Sequence, residues 1–462
     1  SRYPAAVLTQ IRNMFKNEIL SSASDKDIVF YSSTPQAAYF NYIQNFSRSD
    51  SKIESLRTVL KDYPYYTAKI DYLKKVSSQK EFHIEDANLI KRIYTDSLNI
   101  SATGIEEFNL CHFKFFCNSG LKLKVRRKRQ IGSLEQGNLI HQCLECVLSS
   151  CKNKEEFDKL SRNQISKIIE KCADDYFESN MGGVIKRNAR LESNLKRIKE
   201  NIFKIISHLQ NELKQSEFRP INFEFNINEK GIANLTGDNG IEIVIRGVID
   251  RVDIYESNGE KYIRVIDYKT GKKIFSMSSL LYGINLQMLL YMFTITGSGG
   301  AYSDCNPAGV LYMPSGEIVC GRDRDESDNM EEYLNKHYKM NGVVLNDRAV
   351  LNAMEKDIQG IYIPAKLLKG DTGDGELLLN KRSSSCLTSS QFKKLRQHTE
   401  KIIIDVCNEL YSGNIDADPL VISGGSPCDY CDYWSVCGNV PCEKYREADK
   451  NAEEKMLKII SD

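Results

Sequence analysis

The stretch Gly247–Lys273, GVIDRVDIYESNGEKYIRVIDYKTGKK, constrains the fold more than any other part of the chain. Two apolar runs, Ile241–Ile249 and Tyr262–Ile266, are rich in Val, Ile and Tyr, and each predicts a strand. Ser257-Asn258-Gly259 between them is turn chemistry, so the pair predicts a hairpin. Asp250 is expected at the end of the first strand. Asp267 and Lys269 end the second, two residues apart and therefore on one face of the sheet. Carboxylates converging from neighbouring strands, with an ammonium beside them, suit a hard divalent cation next to a phosphate. Mg²⁺ takes few carboxylates and leaves positions for water and substrate oxygens. The lysine then stabilises charge on the phosphoryl group or positions an attacking water.

Composition bounds the rest. At 462 residues the chain is long enough for more than one domain. Its 41% hydrophobic and 27% charged residues are ordinary for a globular protein. No apolar run reaches the ~18 residues of a membrane span, and Ser1–Leu20 lacks a signal-peptide layout. No membrane partner is expected. Fourteen cysteines without secretory features point to the reducing cytoplasm, with metal-bound or free thiols rather than disulfides. A net charge of +1 hides local asymmetry: Lys122–Arg129 holds six cations in eight residues, whereas Asp323–Glu332 is acidic. The basic run is either a phosphate-binding patch or a solvated face.

Residues 1–98 differ from the remainder of the chain. Asp27–Tyr31 predicts a strand, and Thr34-Pro35 opens a helix through about Phe46, which suggests part of an α/β domain. No GxxxxGK[ST] occurs, so a self-contained ATPase is excluded. The chain begins mid-pattern without methionine and reads as a piece of something longer. Ser101 or Thr103 is expected to cap a helix carrying Phe108. Leu134–Ser150 is helical in pattern, and Gly137, His141 and Glu145 share one of its faces. Residues 155–215 predict a polar helical insert. Ile221–Ile227 predicts a strand carrying Glu224, read as a solvated edge residue. Beyond the hairpin, Ile284–Ile295 predicts a buried helix with Gln287 and Tyr291 on one face, and Gly309–Pro314 a buried strand. Residues 297–308 and 369–376 predict loops, and Leu387–Gly413 one amphipathic helix capped at Thr388, Ser389 or Ser390.

Near the end, Cys428-x2-Cys431-x5-Cys437 has metal-ligand spacing and needs a fourth thiolate from elsewhere. Zinc and iron–sulfur both suit four cysteines. Cys117, Cys442 and the remaining cysteines are expected to be buried small hydrophobes.

These pieces resemble a known family. GVIDRVD and DYKTGKK resemble the RecB-type branch of the PD-(D/E)xK nucleases. From about residue 99 onward, ISATGIEEFNLCHFKFF, GNLIH, LQMLLY, GVLYMP, YKMNGVVL and CDYCDYWSVC resemble the nuclease region of AddB-type subunits of bacterial helicase–nucleases. The resemblance implies an α/β restriction-endonuclease-like core with a mixed sheet flanked by helices. It divides the chain into an inactivated helicase-like tail, 1–98, and a nuclease domain, 99–462. It also implies a DNA exonuclease working with an AddA-type partner in recombinational repair of double-strand breaks. His141, Asp250, Asp267 and the Tyr268 carbonyl are the implied Mg²⁺ or Mn²⁺ ligands. Asp250, Asp267, Lys269, Gln287 and Tyr291 are the implied catalytic set. Cys111, Cys428, Cys431 and Cys437 are the implied [4Fe–4S] ligands, closing a C-terminal clasp. His112 departs from the proline that usually follows this first cysteine. A free-standing RecB-type nuclease and a DNA-binding scaffold with a dead site are the alternatives.

Overall fold

The computed structural model describes Met14, Ile28 and residues 31–46, 51–77, 82–124, 132–181, 189–227, 235–271, 275–317, 330–367, 385–422, 425–437 and 444–461. Residues 125–129 of the basic run, 323–329 of the acidic run, the 369–376 loop and Cys442 lie outside them. The chain forms two compact units, Ser1–Lys80 with Trp434–Lys444, and Glu81–Tyr433 with Tyr445–Asp462.

The smaller unit is helical among its described residues. Helix α1 (Pro35–Gln44) starts where expected, with the Thr34 side chain accepting from the Ala37 amide. Helices α2 (Ser51–Leu60) and α3 (Pro64–Ser77) follow, and Ala38, Tyr42, Ile53, Leu56, Leu60 and Ile70 form its core. Of the expected strand Asp27–Tyr31, only Ile28 and Tyr31 are described, and both lie in turns.

The larger unit holds two mixed sheets. Strands β1 (Ser97–Ser101), β3 (Leu235–Thr236) and β4 (Glu242–Arg246) form a small one in the order β1-β4-β3. The large sheet joins β2 (Arg219–Asn226), β5 (Val248–Ser257), β6 (Glu260–Lys269), β7 (Asn306–Pro314), β8 (Asn341–Leu345) and β9 (Cys386–Leu387), in the order β2-β5-β6-β7-β8-β9. The hairpin forms as expected. Asn258 and Gly259, at φ 52° and 82°, both take the left-handed conformation that a two-residue hairpin turn requires.

Its first strand differs from the expectation. The apolar run Ile241–Ile249 is two strands in two sheets, broken at Gly247. A Cβ at Gly247 would run into the Tyr291 hydroxyl, so this crossing point needs a residue with no side chain. Asp250 therefore sits near the start of β5, not at a strand end. The antiparallel register pairs Arg251 with Ile266, and one step further brings Asp250 opposite Asp267. A strand start faces a strand end, which is how the two carboxylates meet.

Helices cover both faces of this sheet. Helix α4 (Ala102–Leu110) is capped by Ser101, whose hydroxyl accepts from the Gly104 amide. Helix α5 (Ser133–Ser149) packs against β2, and α8 (Gln287–Ile295) against β6 and β7. Residues 155–215 are helical as expected, chiefly α6 (Arg162–Met181) and α7 (Ala189–Gln215). They do not stand off as an arm: Ile165, Ile169, Ile202, Ile205 and Leu209 are buried in the core shared with the sheet. Helix α9 (Ser389–Ser412) begins with a Thr388/Gln391 capping box and stops at Gly413, φ 95°. Among the described residues, no helix is long and apolar enough to cross a membrane.

Candidate active site

Strand alternation decides which side chains meet. On one face of the hairpin Asp250 projects from β5, and Asp267 and Lys269 from β6. Helix α5 delivers His141 to the same place. The Asp250 Oδ2 lies 3.3 Å from His141 Nδ1 and accepts from the Tyr268 amide at 2.7 Å. The other ring nitrogen, Nε2, lies 2.8 Å from the Tyr268 carbonyl. A carbonyl only accepts, so Nε2 carries a proton there and Nδ1 is the nitrogen turned toward the carboxylates. The Tyr268 carbonyl, expected among the ligands, thus faces the site and is engaged by His141.

Glu224 completes the group. His141, Glu224 and Asp250 can bring ligand atoms within 4.8 Å of one another. Glu224 lies on β2 between the pairs Phe223↔Arg251 and Phe225↔Ile249, and hence opposite Asp250. Its φ of 45° is left-handed, unusual for a non-glycine residue inside a strand. Sequence reasoning passed over Glu224 as a solvated edge residue. Its neighbours Phe223 and Phe225 were the available signal, because alternation placed Glu224 on the face opposite theirs.

Beside this group Lys269 Nζ lies 2.7 Å from Asp267 Oδ2 and donates to Oδ1 at 3.0 Å. The buried Oδ2 has that ion-pair contact without hydrogen-bond geometry, so a lone pair remains for a cation. The Gln287 amide donates to Asp267 Oδ1 at 3.4 Å, and its oxygen lies 3.5 Å from Lys269 Nζ. Tyr291, one turn along α8, hydrogen-bonds Gln287. All the expected catalytic side chains therefore converge here.

The electrostatics are those of a crowded acidic pocket. Burial, then repulsion from Asp250, raises Glu224 to about 7. The same two causes raise Asp267 to about 6 against the opposing pull of Lys269. Burial works against a charged His141, yet the hydrogen bond and charge of Asp250 lift it to about 9. Burial raises Tyr291 to about 12. Carboxylates that repel one another and resist ionisation are what a divalent cation relieves. Imidazole, carboxylates and a half-satisfied carboxylate oxygen fit such an ion.

The cysteines form a separate region. Burial pushes the Cys111 thiol up to about 12, although backbone amides of Lys114 and Phe113 point at its sulfur, and Cys428 is close enough to raise it further. The Tyr433 amide donates to Cys431 Sγ at 3.4 Å. Cys437 belongs to the smaller unit, where its thiol meets the Trp434 carbonyl. Next to Cys111, His112 is buried against Asp418 at 2.7 Å, which accounts for histidine where proline was expected. A second Cys-x2-Cys pair, Cys143 and Cys146 on α5, meets Cys172 on α6. These three behave as the buried small hydrophobes anticipated.

Comparison with known proteins agrees with this geometry. The chain is 26% identical over 480 residues to the AddB-type subunit of the ATP-dependent helicase/deoxyribonuclease of Thermoanaerobacter sp. (strain X514), covering 99% of this chain and 41% of that protein. It is 26% identical over 492 residues to the corresponding subunit from Clostridioides difficile (strain 630), covering 99% and 42%. The Clostridium botulinum (strain Langeland / NCTC 10281 / Type F) counterpart is 28% identical over 479 residues, covering 98% and 41%. The chain thus spans about two fifths of the length of these relatives. The family profile of the PD-(D/E)XK nuclease superfamily matches residues 99–438. With that match falling on the hairpin, its helices and the acidic pocket between them, the chain belongs to the PD-(D/E)XK nuclease superfamily.

Proposed function

We propose that this chain is the Mg²⁺- or Mn²⁺-dependent exonuclease domain of an AddB-type subunit, hydrolysing DNA strands unwound by an AddA-type partner in recombinational repair. The observation that carries the reading is the convergence of His141, Glu224 and Asp250 within 4.8 Å, beside the Asp267–Lys269 pair. His141, Asp250 and Asp267 would hold the ion, with Glu224 as a further carboxylate. When bound, the ion supplies Lewis-acid activation of water and neutralises charge on the phosphate. The Nδ1 proton of His141 must leave before that nitrogen can serve as a ligand. Lys269, tethered by Asp267 and Gln287, orients the attacking water and meets the charge growing on the phosphoryl oxygens. Tyr291 steadies Gln287. Residues 1–98 are read as the tail of an inactivated helicase-like domain, and 99–462 as the nuclease domain.

The test is cleavage of end-labelled single- and double-stranded DNA with Mg²⁺, with and without chelator. Lys269→Ala is expected to lower the rate ~10²–10³-fold. Cleavage that survives chelator, or a fully active variant, overturns the reading.

We also propose that Cys111, Cys428, Cys431 and Cys437 hold one [4Fe–4S] cluster as a structural clasp. Ligand spacing supports it, as do the amides directed at the sulfurs of Cys111 and Cys431, a common means of tuning cluster thiolates. Anaerobically purified protein should be brown and contain about four iron atoms per chain. Colourless protein with stoichiometric zinc would refute the cluster.

A further inference from the structure

Directly behind the acidic pocket, on the opposite face of the hairpin, lies a buried set of charges that the proposed chemistry does not use. Arg251 and Arg264 are both 0% exposed, as is Asp253, and Glu212 of α7 is 1% exposed. Arg251 donates to both Asp253 oxygens, at 2.8 and 2.7 Å, and to Glu212 at 3.2 Å. Arg264 donates to Asp253 at 2.9 Å and to Glu212 at 2.6 Å. Four buried charges are a poor way to stabilise a core, because apolar residues of similar volume often do as well or better. Their retention calls for another role.

One bond leaves this network toward the site. Arg251 Nη1 lies 3.4 Å from the hydroxyl of Tyr268, which is itself buried. The same residue presents its amide to Asp250 and its carbonyl to His141 on the other face. The β5–β6 ladder stops at Arg251↔Ile266, two residues short of Tyr268. Backbone pairing with β5 therefore does not set how far the Tyr268 peptide stands from Asp250. Arg251 belongs to β5, so its bond to the Tyr268 hydroxyl ties the two strands beyond the end of their ladder.

We propose that Arg251 and the Tyr268 hydroxyl are positioning residues: from behind the sheet they hold the Tyr268 peptide where its amide aims Asp250 and its carbonyl aims His141 at a common ion. This rests on the metal-site reading above. Neither group touches the ion or the DNA. Both act through the orientation of ligands, as the outer partners of metal-bound histidines and carboxylates do. The buried charges around Arg251 keep its guanidinium from swinging away, since each of its partners is fixed by Arg264 as well.

The test uses Tyr268→Phe, which removes the hydroxyl and keeps the ring. Phe218→Leu serves as a control, because Phe218 packs on the Arg264 guanidinium at 4.9 Å on the far side of the network. Mn²⁺ binding to the whole chain is followed by electron paramagnetic resonance, and metal-free melting is recorded for each protein. Tyr268→Phe should weaken Mn²⁺ affinity about tenfold. Phe218→Leu should lower the melting temperature at least as much while keeping the parent's affinity. Unchanged affinity in Tyr268→Phe overturns the positioning role. So does a loss in both variants that simply follows their melting temperatures. A parent protein that binds no Mn²⁺ overturns the metal site itself, an outcome distinct from either.

Discussion

The two faces of one hairpin use the same residue types to opposite ends. Behind the sheet, two arginines, an aspartate and a glutamate are buried and mutually paired, and Arg251 and Arg264 hold Asp253 below the usual carboxylate range despite its burial. In front, three carboxylates crowd one lysine and one histidine, and burial and repulsion raise Glu224 and Asp267. Asp250 and Asp253 are three residues apart in sequence, yet one belongs to the uncompensated set and the other to the compensated one. Incomplete pairing is what marks a site able to take up a cation; paired charges mark structure.

The sharpest way to break this contrast is to remove a charge from the paired face. Asp253→Ala strands two buried guanidiniums, and removing one partner of a buried pair costs ~3–5 kcal/mol. Denaturant unfolding should show that loss. A change below about 1 kcal/mol would mean the back face is no more cooperative than an exposed ion pair.

A smaller effect sharpens it. Glu224, Asp267 and His141 all have folded pKa values above their ordinary ones, so the metal-free fold binds extra protons. Their contribution to stability is present in acid and is lost as pH rises, between 4.5 and about 7 for Glu224, 3.8 and about 6 for Asp267, and 6.5 and about 9 for His141. Asp253 runs the other way: its stabilisation is present above its ordinary value of 3.8 and is lost only as pH falls through its depressed one. Glu224→Gln, a neutral mimic of the protonated form, should therefore melt higher than the metal-free parent above pH 7 and not below pH 4.5. Melting curves of the two across that range decide it; a parallel pair of curves would remove Glu224 from the pocket.

Much of this was legible in the sequence because it is local. The Asn258-Gly259 turn, the Asp267-x-Lys269 spacing and the Gln287–Tyr291 pair each follow from a fixed period of strand or helix. What escaped is non-local or irregular. Residues 241–249 look alike on both sides of Gly247, so nothing in their pattern reveals that they serve two sheets. The location of Asp250 at a strand start follows from that division. Glu224 escaped because its left-handed backbone and its register against β5 are products of assembly. The Arg251–Glu212 pairing joins a strand to a helix 39 residues away, which no periodicity announces.

Gly247 also restricts which sequences this site can accept. Its Cα faces the Tyr291 ring so closely that any side chain there would overlap the phenol. Three residues downstream stands Asp250, and one turn before Tyr291 stands Gln287, which hydrogen-bonds Asp267. Positions 247 and 291 are consequently not free to drift independently. A larger residue at 247 becomes tolerable only when 291 shrinks, and shrinking 291 withdraws the partner of Gln287. The glycine binds the history of a strand to the history of a helix, and a double-mutant cycle across the two would read that dependence as a non-additive energy.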